Sequence, residues 1–448
     1  MRLFLAVVLL ALATASCCQG AELSLDISGQ KVYDQLIELA KFSDDANPAV
    51  TRILFTDQDL NARAFVKQLM RDAGLVIRED TIGNIYGILE GQDAQAPAVG
   101  TGSHCDAIPL AGAFDGTLGV IGGIAALKAL KEAGFVPKVP IEAIMFTSEE
   151  PTRFGLSCSG SRAIAGMLDG DYLSTLRDVN GSDYLAAAQR AGYGADTYEA
   201  MLRGARLTDK DLGAFVELHI EQGPLLGEGR AGDWRGDGHR GPAALAVTFY
   251  GDGGHAGALL MPYRNDASLA ASEFALELER LVLATESIDT VGTVGRWEVS
   301  PNAVNSVPRE AALEIDIRDI DADRRDRLVA DVLEAAKKVA ERRKVRVTSR
   351  IINQDPPAIS GKAVVDAISA SVEELSYSSK HMVSRAYHDS TFMAQVAPTA
   401  MVFVPCHNGW SHRPDEHATP EDIERGVRVL ALTLARLAGA ASGEHSEL

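Results

Sequence analysis

Between residues 245 and 352 the chain runs strand–helix–strand twice, and this rhythm constrains the fold more than any other feature. Leu245–Tyr250 reads as a strand, Asp266–Leu283 as a helix, and Asp289–Trp297 and Ala311–Arg318 as strands. Asp323–Arg342 is then a helix and Lys344–Ile352 a strand. The order β-α-β-β-α-β is that of a ferredoxin-like unit. A different alternation flanks it. Helices over Gln30–Phe42 and Asp57–Ala73, the second capped by Thr56, lead into short strands at Ile77–Glu79, Ile85–Leu89 and Val99–Ser103. A helix over Gly119–Ala133 and a buried strand over Ile141–Thr147 follow. After Asn353-Gln354-Asp355-Pro356-Pro357 come the helix Val364–Leu375, the strand Ala400–Val404 and the helix Ile423–Leu437. This pattern predicts an α/β domain over 24–240 and 353–440, with a smaller domain over 241–352 inserted into it. The glycine-dense stretch 227–241 predicts a loop or linker at the junction.

The first residues have another purpose. Met1-Arg2 is followed by an apolar run from Leu3 to Ala13 and then by small residues, Thr14-Ala15-Ser16. A membrane-spanning helix needs about 20 apolar residues. The shorter run predicts a signal peptide over 1–20, cleaved between Ala15 and Ala21, and entry into the secretory pathway. No membrane span is expected. Cys105, Cys158 and Cys406 remain after cleavage, too few and too scattered for a disulfide framework. The formal charge of −19 argues against nucleic acid or an anionic membrane as a partner.

Four clusters carry chemistry. They are Gly102-Ser103-His104-Cys105-Asp106 with Phe114-Asp115-Gly116, Thr147-Ser148-Glu149-Glu150, Glu217-Leu218-His219-Ile220-Glu221-Gln222-Gly223-Pro224, and Trp410-Ser411-His412-Arg413-Pro414-Asp415-Glu416. Imidazoles and carboxylates ligate divalent zinc-type or manganese-type ions. His104, Asp115, Glu150, His219 and His412 supply both kinds, and one carboxylate can bridge two ions. Glu149 stands next to Glu150 as a general base for water, provided the backbone turns there; Pro151 suggests such a turn. Asp106 is placed to orient the His104 imidazole. Taken singly, each feature has a plainer reading. A histidine at a strand end is commonly structural, and paired glutamates are commonly a solvated surface. Together, at the ends of successive strands, they fall where α/β sheets build sites.

These motifs resemble the dinuclear aminoacylase and metallopeptidase superfamily, and within it the carbamoylase and allantoate amidohydrolase branch. Gly254-His255-Ala256-Gly257, Met261-Pro262-Tyr263-Arg264-Asn265-Asp266-Ala267 and Ser384-Arg385-Ala386-Tyr387-His388-Asp389-Ser390 are similar to the plant-type ureidoglycolate amidohydrolases. The resemblance implies a mixed-sheet catalytic domain with an inserted lid and dimerisation domain. It implies two divalent ions per subunit, manganese first, with zinc or nickel as alternatives. His104, Asp115 and His219 would hold one ion; Asp115, Glu150 and His412 would hold the other. Glu149 would be the base, His255 would stabilise the oxyanion, and Gln222, His255, Asn305, Arg318 and Tyr387 would bind a small ureido acid. It further implies a homodimer in the endoplasmic reticulum, with His255 reaching into the neighbouring subunit's site.

Residue by residue, alternatives stay open. Arg318 could pair with Asp319 or Asp321, Asn305 could be a turn residue, and Tyr387 could be a buried tyrosine with its hydroxyl satisfied. His388 and Asp389 are placed as supports of the site. Residues 230–243 depart from the apolar strand of relatives. The function implied is hydrolysis of ureidoglycolate to glyoxylate, carbon dioxide and two ammonia. The rival substrates are allantoate and N-carbamoyl-L-amino acids, and the rival class is an inactive metal-dependent binding module.

Overall fold

The computed structural model describes residues 24–223, 234–239, 241–384 and 386–439; the expected signal peptide over 1–20 lies outside them. Its frame is a nine-stranded mixed sheet. Four strands at its centre run parallel, in the spatial order Thr399–Val404, Leu212–Ile220, Ala98–His104, Ile141–Phe146. They are buried along almost their whole length, as parallel strands covered on both faces must be. Ile85–Leu89 and Val76–Glu79 extend one side antiparallel.

Helices Gly29–Ala40, Thr117–Glu132, Lys362–Glu374 and Pro420–Gly439 share one large apolar core with the strands. Thr117–Glu132 is apolar almost all round, which suits a helix wedged between the sheet and another helix. Gly119 lets it approach the sheet. A Cβ there would lie 2.5 Å from the Leu218 carbonyl oxygen and 2.6 Å from the Ser103 Cβ. The Asp57–Asp72 helix begins as its sequence predicts: Thr56 accepts from the Asp59 N–H, while the Asp59 carboxylate accepts from Phe55 N at 2.8 Å.

The glycine-dense stretch is corrected in its second half. Residues 224–233 and 240 lie outside the described residues, but Trp234–His239 is a strand of the main sheet. It pairs antiparallel with Thr399–Val404 and parallel with Lys380–Ser384. Ladder hydrogen bonds from both neighbours hold a segment whose glycines alone would favour a loop.

A second sheet takes in the run from Gly241 to Gln354. Its strands lie in the order Val291–Ser300, Glu310–Asp319, Gly241–Tyr250, Arg346–Gln354, all antiparallel. Helices Ala267–Leu283 and Ala322–Arg343 cover one face and close a separate apolar core. The alternating burial of Glu310–Asp319 is that of a sheet with one face packed and one face open. Among the described residues no helix is long and apolar enough to cross a membrane.

Candidate metal centre

The parallel strands deliver the chemistry to one edge. His104 ends its strand, Glu149 and Glu150 follow Phe146, His219 is next to last in its strand, and the loop carrying His412 follows Val404. Asp115 precedes the helix Thr117–Glu132. This edge, at the carboxyl ends of parallel strands, is where open α/β sheets bind ligands.

Two groups of donors form there and share Asp115: His104, Asp115 and His219 in one, Asp115, Glu150 and His412 in the other. The two oxygens of Asp115 are divided between them. Oδ1 lies 3.2 Å from His219 Nε2 and 3.8 Å from His104 Nε2, while Oδ2 lies 3.3 Å from His412 Nε2. His412 Nε2 is also 3.2 Å from Glu150 Oε1. The ring orientations are set from behind. His219 Nδ1 lies 2.8 Å from the Ile220 carbonyl and His104 Nδ1 lies 3.0 Å from the Asp106 carbonyl, which leaves each Nε2 facing the cluster.

Asp106 does more than the sequence suggests. Its carboxylate accepts from the backbone N–H groups of Glu149 and Glu150, at 3.2 and 3.0 Å, and fixes the turn that carries both. The turn itself is corrected: it is made at Ser148, whose φ is +54°, rather than at Pro151. A residue in that left-handed region is uncommon, and such strain concentrates at functional sites. It lets both glutamates face one edge. Glu149 Oε2 lies 3.8 Å from His104 Nε2, and Glu149 Oε1 accepts from the Cys158 thiol at 3.6 Å.

The donors suit two divalent cations: three imidazoles and two carboxylates in a strongly negative field. Burial opposes protonation of His104, yet the hydrogen bond to Asp106 and the charges of Glu149, Asp106 and Asp115 raise it well above the usual imidazole value. Hydrogen bonds to Asp115 and Glu150 push His412 up to about 11. Burial pushes Glu149 well above the usual carboxylate range against the pull of His104, and Glu150 adds to the rise.

Gln222, at φ +57°, donates from Nε2 to Asp115 Oδ2 at 2.6 Å. Tyr387 donates its hydroxyl to Asp355 Oδ2 at 2.7 Å and accepts from Arg162 at 2.8 Å, so its hydroxyl is satisfied in this structure. Arg318 pairs with Asp316, at 2.7 Å, and not with Asp319 or Asp321; Asp319 is taken by Arg324 and Thr290. Its guanidinium is also within electrostatic reach of Glu149 and Tyr387. His255 and Asn305 stand together elsewhere. His255 lies in the two-stranded ribbon of Gly254–His255 and Ser306–Val307 and Asn305 just before its second strand, both exposed, and Ala256 N–H donates to the Asn305 carbonyl. The His255 ring accepts from the N–H groups of Gly257 and Ala258. Cys105, Cys158 and Cys406 are free and buried.

Sequence reasoning gave no role to Glu416, which binds the backbone of Asp115, or to Arg162, which grips Asp355. Their partners lie 301 and 193 residues away, so no local spacing reports them.

Residues 101–436 match the model of peptidase family M20/M25/M40. The chain belongs to this family. It is 50% identical over 417 residues to a ureidoglycolate hydrolase of Arabidopsis thaliana, covering 92% of this chain and 87% of that one. A crystal structure of AtUAH in complex with (S)-hydroxyglycine is similar with a TM-score of 0.87 at 49% identity, covering 93% of this chain and 99% of that one. A crystal structure of AtUAH in complex with glyoxylate gives the same values.

Proposed function

We propose that the chain hydrolyses the ureido group of (S)-ureidoglycolate to glyoxylate, carbon dioxide and two ammonia, as a step of purine-derived ureide breakdown. The observation that carries the reading is the pair of donor groups sharing Asp115, with Glu149 beside them. The substrate follows from the likeness to a ureidoglycolate hydrolase and to AtUAH complexes with (S)-hydroxyglycine and glyoxylate.

A urea carbonyl is a poor electrophile because two nitrogens donate into it. Two divalent ions held by His104, Asp115, His219, Glu150 and His412 supply Lewis-acid polarisation of that carbonyl and a more acidic water. Manganese is the proposed ion, with zinc and nickel as the alternatives. Glu149 takes the proton of the attacking water at its carboxylate and returns it to the leaving nitrogen. Its raised affinity for a proton suits a group that must hold one between the two steps. The bond between the carbamoyl carbon and that nitrogen breaks, releasing 2-hydroxyglycine and carbamate, and the carbamate breaks down to carbon dioxide and ammonia. The 2-hydroxyglycine left behind collapses to glyoxylate and a second ammonia.

Arg318 receives the substrate carboxylate, a planar fork suited to it, by exchanging Asp316 for the ligand. Gln222 and Tyr387 complete the pocket. His255 and Asn305, both exposed, are proposed to reach the site of a second subunit in a homodimer, His255 to meet the developing oxyanion. The domain of 241–352 would act as the lid. The signal peptide at 1–20 would direct the chain to the endoplasmic reticulum.

The test is ammonia and glyoxylate release by the manganese-loaded protein offered (S)-ureidoglycolate, allantoate and an N-carbamoyl-L-amino acid side by side. Preference for ureidoglycolate with two ammonia per glyoxylate is expected. Preference for either other substrate would move the assignment while keeping the site, and activity on none would sink it.

A further inference from the structure

Glu416 is buried at the end of the loop that carries His412. Its Oε1 accepts from the backbone N–H groups of Phe114 and Asp115, at 2.8 and 2.9 Å, and its Oε2 accepts from the Ser411 hydroxyl at 2.9 Å. The same hydroxyl lies 2.5 Å from Asp115 Oδ2 and accepts from Gln222 Nε2 at 3.3 Å. So one carboxylate ties the stretch bearing the shared ligand Asp115 to the loop bearing His412.

That loop needs an anchor. His412 is half exposed, with 48% of its side chain open to solvent, and its φ is +59°. A non-glycine residue in that left-handed region is strained. Little burial at His412 itself offsets this. The space for the anchor is built in, too. A Cβ on Gly112 would lie 2.4 Å from the Cβ of Glu416 and 2.6 Å from its Oε1.

We infer that Glu416 is a positioning residue for the dinuclear centre: it locks the Asp115 stretch to the His412 loop, so that Asp115 and His412 meet Glu150 as one donor group. The inference rests on the dinuclear reading of the cluster and not on the choice of substrate. Removing such a supporting hydrogen bond typically costs about 10–100-fold in metal affinity.

The full chain, stripped of metal, is titrated with Mn2+ and examined by calorimetry and electron paramagnetic resonance, without substrate. The unaltered protein should take two ions and give the spin-coupled signal of a pair. Glu416→Ala should weaken the second ion at least 10-fold and give the six-line signal of an isolated ion. Glu416→Gln should keep the coupled pair, because its carbonyl oxygen can accept both backbone N–H groups while its amide donates to Ser411. A coupled pair at unchanged affinity in Glu416→Ala would overturn the inference, as would an equal loss in Glu416→Gln. Should Glu416→Ala not fold, Ser411→Ala is read in its place: weaker binding of the second ion supports the lock, and unchanged binding overturns it. Fewer than two ions in the unaltered protein would instead remove the dinuclear reading itself, whatever the substrate assays show.

Discussion

Gly116 offers the sharpest steric test of the metal centre. Its φ is +68°, and a Cβ built there would sit 2.3 Å from His104 Nε2 and 2.4 Å from its Cδ2. Ordinary carbon contacts lie at about 3.5–4.0 Å, so the imidazole of a Gly116→Ala variant must retreat by about 1 Å. It cannot do so freely, because Nδ1 is held at 3.0 Å from the Asp106 carbonyl. The displacement therefore falls on the atom that faces the metal. A misplacement of about 1 Å costs on the order of 10²-fold in rate. The backbone at φ +68° and ψ −48°, sparsely populated by residues with a Cβ, adds roughly 1–3 kcal/mol of lost stability for an alanine. Gly116→Ala should thus remain folded, lose about 100-fold in kcat/KM, and bind the ion at His104 more weakly. Ammonia release at saturating manganese, metal titration and the urea midpoint give the three readings. Activity within a few-fold of the unaltered protein, with both ions bound at unchanged affinity, would refute the claim that Gly116 keeps the space in front of His104 open.

Further outcomes follow from the same contacts. Glu149→Gln should abolish turnover while substrate still binds, read by single-turnover kinetics and calorimetry; unchanged turnover would exclude Glu149 as the base. Asp355→Ala should cost about 3–5 kcal/mol, since it leaves the Arg162 guanidinium, only 8% exposed, without its carboxylate and strips Tyr387 and Asn353 of their acceptor. A urea midpoint shift worth less than about 1 kcal/mol would count against that. The same carboxyl gives a pH signature. Burial would raise it, but Arg162 and Tyr387 hold it below the usual carboxylate value. Its folded pKa is therefore the depressed one, so its stabilisation is present above about pH 4 and fades as the pH falls through the folded value. Asp355→Asn should flatten the loss of stability measured in that acid window. Chelation should lower the melting temperature, because ions that bind only the folded cluster stabilise it by about 2.7 kcal/mol at a hundred times Kd; an unchanged melting point would argue that no metal is held.

The sequence makes part of the catalytic edge legible because two ligands lie at the end of, or just beyond, a strand whose apolar run is easy to see, His104 at the end of Ala98–His104 and Glu150 after Ile141–Phe146, whereas the strand Leu212–Ile220 that carries His219 is not among those read from the sequence. The β-α-β-β-α-β run is legible for the same reason, its helices being long and periodic. Short elements held by distant partners are not. The helices Ser159–Ala165, Gly170–Thr175, Tyr184–Arg190 and Tyr198–Ala205 are each too brief to show a period, and their apolar side chains form a satellite core with Leu54, Phe55 and Ile82. The strand Trp234–His239 exists through its ladders with Thr399–Val404 and Lys380–Ser384, which no local propensity announces. The turn at Ser148 is hidden likewise, because what stabilises it is the carboxylate of Asp106, 43 residues before the Glu149 N–H it accepts from.

The cluster also separates its carboxylates by environment, and that separation assigns their work. Burial by itself would raise both Asp115 and Glu149. Asp115 escapes because hydrogen bonds to His219 and His412 outweigh burial and hold it well below the usual range, so it stays an anion fit to bridge two cations. Glu149 has the opposite balance: burial, with Glu150 and Asp389 adding to it, outweighs the pull of His104. Asp389 behaves like Glu149, pushed up to about 8 by burial and by Glu217. Neighbouring acids driven apart in this way divide into those that hold charge and those that trade protons. That contrast supports the proposed roles of Asp115 as a ligand and Glu149 as the proton carrier. The thiol of Cys158 occupies Glu149 Oε1 and leaves Oε2 on the His104 side, the oxygen that the proposed proton transfer would use.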